Sequence, residues 1–185
     1  MQSIGQRIVV LGVTGSGKST LARTLADIYG LGYIELDALF WKSDWVQSSD
    51  EEFIAKIKQA LAQSADGWVV DGNYSRVGNL VWSQADTLIW LDYPLRVNLW
   101  RLWKRTWKRF LSRETLWGSN NRENLWKHFL TRDSLFLWAI QSHPRKRKQY
   151  GAVFHSSEFA HYCLLRFSSP RETDQWVESL TNGTH

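Results

Sequence analysis

The stretch GVTGSGKST, residues 12–20, follows directly on the apolar run RIVVL, residues 7–11. Its first eight residues fit the pattern G-x-x-x-x-G-K-S, which is the phosphate-binding loop pattern. Apolar residues recur at helical spacing through residues 18–29, so the loop lies between a buried strand and an amphipathic helix. That context is the one the pattern requires, and it favours a nucleotide-binding loop over a glycine-rich turn without a ligand.

The residue types of the loop explain how it would hold a triphosphate. Glycine lacks a Cβ, so the backbone can adopt positive φ and point its N–H groups at phosphate oxygens. In such loops the lysine reaches the β- and γ-phosphates, the serine hydroxyl binds Mg²⁺, and the N-terminus of the following helix faces the anion. The predicted ATP ligands here are Gly12, Thr14, Gly15, Ser16, Gly17, Lys18, Ser19 and Thr20, with Lys18 also catalytic and Ser19 also on Mg²⁺.

The composition is that of a globular chain, with 43% hydrophobic residues among 185. We expect residues 1–185 to form a single domain. No apolar run approaches the roughly 18 residues that cross a bilayer, and residues 1–11 are interpreted as a first strand, not a signal peptide. The one cysteine, Cys163, excludes an intrachain disulfide and a cysteine metal cluster. The expectation is a soluble cytoplasmic protein without a membrane partner.

The positive charge is concentrated in one part of the chain. Residues 96–148 carry fourteen Lys and Arg against three Asp and Glu, although the formal net charge of the whole chain is only +5. The same residues hold six of the twelve tryptophans. Such a segment indicates an anionic partner, and it leaves open whether that partner is a nucleotide or a nucleic acid.

Short apolar runs alternate with helical patterns along the chain. The predicted strands are residues 7–11, 33–36, 68–71, 87–91 and 162–167. The predicted helices are residues 18–29, 50–63, 95–111, 121–149 and 171–181, with Pro144 breaking or kinking the fourth. This alternation predicts a three-layer α/β/α phosphate-binding-loop fold with a five-stranded parallel sheet, and the ligand at the carboxyl ends of the strands.

Carboxylates follow three of these strands, on the side of the loop. YIELD ends the second strand with Glu35 and Asp37, WVVDG ends the third with Asp71, and WLDYP ends the fourth with Asp92. Phosphoryl transfer needs carboxylates to hold Mg²⁺ and to orient or deprotonate the acceptor hydroxyl. Asp71 is the predicted Mg²⁺ ligand and Asp37 the predicted acceptor contact. Glu35 is a water-mediated metal partner or a surface residue, and Asp92 is functional or a turn residue.

The basic helix places its arginines on one face. Arg101, Arg105, Arg109 and Arg113 follow i, i+4 spacing, and Trp100, Trp103 and Trp107 form the adjoining face. Like charges stacked on one face repel, so the arrangement indicates an anion that they meet. We interpret residues 96–149 as a helical lid that closes over the triphosphate and excludes water, in preference to a merely solvated helix. Arg122 and Arg132 are further candidates for the phosphate clamp.

Several motifs resemble those of adenylate kinases and related small phosphate-loop kinases. VVDGNYSR, residues 69–76, is similar to their Asp-Gly-Phe-Pro-Arg motif. WLDYP, followed by Arg101 and Arg105, resembles their Asp-x-Pro strand and lid-entry arginines. The motifs that most resemble the bacterial DNA topology modulation proteins are DALFWKSDW (37–45), DGNY (71–74) and RDSLFLW (132–138). The resemblance covers nearly the whole chain.

This resemblance implies roles for particular residues. Arg101 stacks on the donor adenine, and Arg105 contacts the transferring phosphoryl group and is catalytic. Asp71 lies on the magnesium side, and Arg76, five residues after Asp71, clamps the acceptor phosphate. The turn SSPR, residues 168–171, borders the donor base.

The acceptor side departs from the adenylate kinase pattern. Asn73 and Tyr74 replace Phe-Pro, and Phe40 stands where an acceptor arginine is expected, so a standard AMP site is not implied. Glu35-x-Asp37 resembles the Asp-x-Asp of shikimate kinases. The predicted acceptor residues are Asp37, Tyr74 and Arg76, beside an acceptor-binding segment at residues 38–66.

Two functions remain open at this point. The first is an ATP- and Mg²⁺-dependent kinase of a nucleotide or a small hydroxylated metabolite, with Lys18, Asp37 and Arg105 catalytic. The second is a nucleic-acid-associated regulator that binds ATP, since basic tryptophan-rich segments suit single strands. A GTPase switch is disfavoured because the sequence contains no Asn-Lys-x-Asp motif. Nucleic acid is therefore a possible but not a favoured partner.

Overall fold

A computed structural model of the chain describes residues 4–72, 74, 77–112, 115–116, 121–122 and 135–182. The strands are β1 Arg7–Gly12, β2 Gly32–Glu35, β3 Trp68–Asp71, β4 Thr87–Leu91, β5 Thr115–Leu116, β6 Asn121–Arg122 and β7 Cys163–Phe167. The helices are α1 Lys18–Tyr29, α2 Leu36–Phe40, α3 Asp50–Gln63, α4 Gly78–Trp82, α5 Leu95–Ser112, α6 Leu135–His155 and α7 Pro170–Asn182, with 3-10 turns at Ser43–Trp45 and Ser157–Phe159.

The main sheet has five strands in the order β2-β3-β1-β4-β7, and every neighbouring pair is parallel. The predicted five-stranded parallel sheet is therefore confirmed, with each strand end within one residue of its predicted position. Because β1 is central, the loop after Gly12 emerges between the ends of β3 and β4. The register places Asp71 beside Val10 of β1 and Glu35 of β2, so the predicted carboxylates share one edge with the loop.

Helices cover both faces of the sheet, and β1 shows why. Its side chains alternate, as they must in a strand, so Ile8 and Val10 join one core while Val9 and Leu11 join the other. The first core lies under α1 and α7, and the second lies under α2, α3 and α6. Strands that are apolar on both faces are buried on both, which produces the predicted three layers.

The fourth predicted helix, residues 121–149, is wrong at both ends, since residues 121–122 form β6 and α6 extends to His155, and the predicted break at Pro144 is not found. Pro144 lies inside α6 and does not break it, because α6 runs continuously from Leu135 to His155. Proline removes one backbone donor from the helix. However, Ala139 and Tyr150 of α6 are fully buried on either side of it, and this packing holds the helix across the missing hydrogen bond. Residues 123–134 of the predicted helix lie outside the described residues.

The shortest helices and strands were not predicted because their sequence patterns are weak. The five-residue helices α2 and α4 and the paired two-residue strands β5 and β6 are each too brief for a periodic pattern. By contrast, α3 has its predicted bounds, and the structure shows a capping box at its start, with Ser49 Oγ accepting from Glu52 N at 3.2 Å. Within the described ranges, none of the helices has the length and apolar character needed to cross a membrane.

Candidate active site

The loop after β1 curls as the glycine pattern requires. Gly15 and Gly17 have φ of 79° and 93°, which non-glycine residues rarely adopt. The turn closes with Ser16 N donating to Val13 O at 3.2 Å, and α1 begins at the next residue after Gly17. Lys18 Nζ donates to Val13 O at 3.1 Å, so the lysine lies back over the loop. The loop backbone and the Lys18 ammonium therefore face the same space.

Helix α5 packs directly against this loop. A Cβ on Gly15 would lie 2.3 Å from the carbonyl oxygen of Asn98, so only glycine permits this contact. Arg101 Nη1 donates to Ser16 O at 3.2 Å, and its guanidinium lies 5.8 Å from the centroid of the Tyr93 ring. Thr14 is half-buried in the loop, whereas Thr20 is exposed on α1.

Two predicted catalytic cations lie close together. Burial lowers the pKa of Lys18, Asp71 and Asp37 oppose that change, and the nearby charge of Arg105 lowers the pKa further. Arg105 is half-buried on the loop-facing side of α5. The structure therefore brings four predicted site residues, Lys18, Arg105, Asp71 and Asp37, into one electrostatic group.

Asp71 is the buried carboxylate of this group. It is 4% exposed, and its Oδ1 has no hydrogen-bond partner among the described residues. Burial raises the pKa of Asp71, while Lys18 and a hydrogen bond from Ser19 lower it. A buried carboxylate oxygen without a partner is energetically costly unless a cation or a donor reaches it.

The residues at this point fit Mg²⁺. Ser19 and Asp71 supply hard oxygen donors side by side, and the unpartnered Oδ1 of Asp71 is the atom a cation would satisfy. Mg²⁺ in phosphoryl-transfer sites is commonly bound by one or two side-chain oxygens together with substrate phosphates. The predicted pair Ser19 and Asp71 is thus chemically suited to the ion.

Tyr33, Glu35 and Arg23 form a hydrogen-bonded network with Asp71 that the sequence did not indicate. The Tyr33 hydroxyl lies 3.3 Å from Asp71 Oδ2 and 3.2 Å from Glu35 Oε2. Arg23 Nη2 donates to the same Glu35 oxygen at 3.0 Å, and its guanidinium lies 5.1 Å from the Tyr33 ring centroid. Glu35 is therefore not a free surface residue, because it is tied to Arg23 and Tyr33. It anchors Tyr33, which can direct its single proton to either carboxylate.

Replacing Tyr33 by phenylalanine should weaken Mg²⁺-dependent nucleotide binding by about tenfold, because partners that orient a metal ligand typically contribute that much. Nucleotide binding in EDTA should stay at the wild-type value. The measurement is a titration of a fluorescent ATP analogue with and without Mg²⁺. Tyr29→Phe is the matched control, since Tyr29 is 41% exposed on α1. Equal Mg²⁺ dependence in Tyr33→Phe and wild type would show that Tyr33 does not hold Asp71 for the ion.

Asp37, a member of this electrostatic group, contacts the predicted acceptor residue Tyr74. Asp37 is exposed in the first turn of α2, and the Tyr74 hydroxyl donates to its Oδ1 at 2.6 Å. The Trp41 indole hydrogen-bonds to Tyr74 in turn. Burial and the charge of Asp37 raise the pKa of Tyr74, so this phenol stays protonated at neutral pH. Two predicted acceptor residues thus form one hydrogen-bonded unit.

Aromatic rings support this unit. The Tyr74 ring centroid lies 4.9 Å from that of Phe40 and 5.1 Å from that of Phe53. Phe40, which stands where the resemblance expects an acceptor arginine, is buried in the core. Its position is explained by this packing.

Asp92 has a structural role. It is 6% exposed, Arg147 Nε approaches its Oδ1 at 3.0 Å, and Arg166 contacts its Oδ2 through both Nε and Nη2. These ion pairs tie α6 and β7 to the end of β4. A buried carboxylate with two arginines is neither a metal ligand nor a solvated turn residue, and spacing in the sequence could not show either partner.

In the basic helix α5, the arginine face packs against the protein and the tryptophan face is exposed, which is the reverse of an ordinary amphipathic helix. Leu102 and Thr106 are buried and Arg101 and Arg105 face the loop, whereas the three tryptophans of α5 are exposed. Those indoles stack, with centroid distances of 5.2 Å from Trp100 to Trp103 and 6.1 Å from Trp103 to Trp107. Arg76, Arg113, Arg132 and the Arg122 side chain lie outside what the structure describes, so their predicted roles stay predictions, as does the lid.

Known proteins resemble the chain in sequence and in fold. The profile of a family described as AAA domain matches residues 8–127. The cytidylate kinase of Pyrococcus horikoshii is 33% identical over 53% of this chain. The match covers 56% of that relative, so the chain spans about half the length of the curated protein it matches.

Two solved structures share the fold. A sugar kinase of Janibacter sp. HTCC2649, in its unliganded form, has a TM-score of 0.53 and 19% identity, with 95% of this chain and 91% of that chain covered. A gluconokinase of Sinorhizobium meliloti 1021 has a TM-score of 0.51 and 20% identity, with both chains fully covered. At these identities the likeness concerns the arrangement of strands and helices and extends over the whole described fold.

Proposed function

The chain belongs to the AAA domain family, whose profile spans residues 8–127, and from this premise we propose that it is an ATP-dependent phosphotransferase. It moves the γ-phosphoryl group of ATP to a nucleotide or a small hydroxylated metabolite. The observation that carries the proposal is the convergence of Lys18, Arg105, Asp71 and Asp37 at the carboxyl edge of the sheet, beside the loop.

Each group has a chemical role in the transfer. The loop N–H groups and Lys18 bind the β- and γ-phosphates, and Arg101 and Arg105 approach from α5. Ser19 and Asp71 hold Mg²⁺, which, when bound, neutralises charge on the β- and γ-phosphate oxygens. Preorganised cations in a partly buried site stabilise the charge that spreads over the transferring group.

The residues of the site account for the bond formed, the bond broken and the proton released in the transfer. The acceptor oxygen attacks the γ-phosphorus, the bond from that phosphorus to the β–γ bridging oxygen breaks, and ADP leaves with the bonding electrons. Where the acceptor is a hydroxyl, the exposed carboxylate of Asp37 takes its proton. Tyr74 orients Asp37 through its 2.6 Å hydrogen bond and borders the acceptor, and Arg76 follows in sequence as the predicted clamp of an acceptor phosphate.

The relatives support the class of reaction without fixing the acceptor. One is a cytidylate kinase and the two solved structures are a sugar kinase and a gluconokinase, so phosphoryl transfer is common to their names while the acceptors differ. The hydrogen bond between Asp37 and Tyr74 is compatible with either a hydroxyl or a phosphate acceptor.

An acceptor panel tests the proposal. Nucleosides, nucleoside monophosphates, sugars and sugar acids are each incubated with ATP and Mg²⁺, and ADP release is measured above the release without acceptor. We expect at least one class to stimulate release, and Asp37→Asn to reduce the stimulated rate about 100-fold or more if the acceptor is a hydroxyl. Asp44→Asn, at an exposed acid seven residues after Asp37, is the control. Release that no acceptor stimulates would contradict a phosphotransferase.

The exposed indoles of α5 favour a second candidate, a nucleic-acid-associated ATP-binding regulator such as the resemblance to DNA topology modulation proteins implies. Trp100 and Trp103 are 55% and 40% exposed, Lys104 Nζ lies 5.0 Å from the Trp100 ring centroid, and α5 contains no acid. Bases stack on such surfaces while lysines contact the backbone. Binding of single-stranded DNA with a steep salt dependence, undiminished by ATP, would favour this candidate over the kinase.

A further inference from the structure

Besides α5, helix α6 has one face next to the phosphate-binding loop. On α6, His143, Lys146, Arg147 and Tyr150 recur at i, i+3, i+4 and i+7, so they share one side of the helix. All four line a small cavity together with Val13 of the loop, the residue whose carbonyl oxygen accepts the hydrogen bond from Lys18. This face of α6 is therefore next to the phosphate-binding loop.

Two residues of this face fix α6 in place. A ring nitrogen of His143 lies 3.0 Å from Tyr93 O, and Arg147 is paired with the buried Asp92. Both partners follow β4 directly, so the helix is tied to the strand that neighbours β1. Lys146 lies between these two anchors in sequence, which restricts where its side chain can reach.

Lys146 is the cation of this face that lacks an acid. Its stem is half-buried, its Nζ lies 5.8 Å from the centroid of the Tyr150 ring, and no carboxylate pairs with it among the residues that the structure describes. Burial lowers the pKa of Lys146, and the like charges of Arg145 and Lys18 lower it further. The ammonium is thus held near other cations, an arrangement that an incoming anion would relieve.

We propose that Lys146 is a second lysine of the nucleotide site, binding the phosphate chain of ATP from the side of α6 while Lys18 binds it from the loop. This inference rests on the nucleotide-binding part of the proposed function and is independent of the acceptor. It adds a residue of α6 to a site otherwise built from the loop, α1, α5 and the ends of β2 and β3.

A purely structural role for Lys146 predicts different behaviour. Its Nζ lies over the Tyr150 ring, and a cation near an aromatic ring contributes to stability by itself. Lys146→Met keeps an unbranched apolar stem over the ring and removes the charge, so packing is largely preserved. Lys148→Met makes the same change two residues on, where the side chain is exposed.

The test measures the affinities of wild type, Lys146→Met and Lys148→Met for ATP, ADP and adenosine by calorimetric titration, with melting temperatures recorded alongside. We expect Lys146→Met to weaken ATP binding about tenfold, as loss of a charged hydrogen bond does, with adenosine unaffected. Lys148→Met should stay within about twofold of wild type. Lys146→Arg should recover most of the ATP affinity.

Equal ATP affinity in Lys146→Met and Lys148→Met would overturn the assignment. So would a loss in Lys146→Met that is the same for adenosine as for ATP, or one that Lys146→Arg does not rescue. Absence of ATP binding in the wild-type protein would instead refute the proposed function, so the two failures are distinguishable.

Discussion

Lys18→Met should reduce ATP-dependent phosphoryl transfer by at least about two to three orders of magnitude, the loss expected when a preorganised charge is removed from a transition state. Lys18 is the cation at the start of α1, and Asp71, Asp37 and Arg105 are all close enough to act on its charge. Methionine retains most of the stem and removes the ammonium. The β- and γ-phosphates would then lose the charge that the loop places over them.

The fold should survive this change. Burial lowers the pKa of Lys18 and so disfavours its charged form in the folded chain, which offsets part of the attraction to Asp71 and Asp37 that the variant loses. Lys58→Met, at an exposed lysine of α3, is the matched control. ADP release with a stimulating acceptor and the melting temperature are measured for both variants. Turnover in Lys18→Met close to that of Lys58→Met would exclude Lys18 from the reaction.

Much of the fold was predictable because its signals are local. The inner strands β1, β3 and β4 are buried on both faces and so read as short apolar runs, and the loop is a fixed pattern between a strand and a helix. Asp71 was predictable for the same reason, since it ends such a run. These features depend on residues close together in the chain, and spacing is enough to find them.

Other features depend on distant partners. Arg166 reaches Asp92 across 74 residues, and Tyr33 reaches Asp71 across 38. No periodicity indicates such pairs. The one local signal for Glu35 is that it ends β2 as Asp71 ends β3, which places the two carboxylates side by side at one edge of the sheet.

Helix α5 shows a further limit of periodicity. The pattern correctly separated the arginines from the tryptophans, but it does not state which side faces the protein. Hydrophobicity alone would bury the indoles, whereas Arg101 contacts the loop and Trp100 is 55% exposed. The close approach of Asn98 to Gly15 sets the rotation of the helix, and that contact is visible only in three dimensions.

The second large effect is expected at Asp71. Asp71→Asn should abolish the Mg²⁺-dependent part of ATP binding and reduce turnover by about three orders of magnitude, since a metal at the phosphates contributes several kcal/mol to transition-state stabilisation. The amide keeps the shape of the side chain and can still accept from the Tyr33 hydroxyl. It lacks the charge that Oδ1, buried and without a hydrogen-bond partner among the residues described, offers to a cation.

Removing Mg²⁺ with EDTA should have the same effect on ATP binding as the Asp71→Asn substitution. EDTA should lower the ATP affinity of the wild-type chain to that of Asp71→Asn, and it should have no further effect on the variant, because both changes remove the same interaction. Asp66→Asn, at an exposed acid before β3, should respond to EDTA as the wild type does. If Asp71→Asn kept the full wild-type response to EDTA, the ion would have to be held by other groups. Asp71 would then be a buried carboxylate whose role is to balance the charge of Lys18.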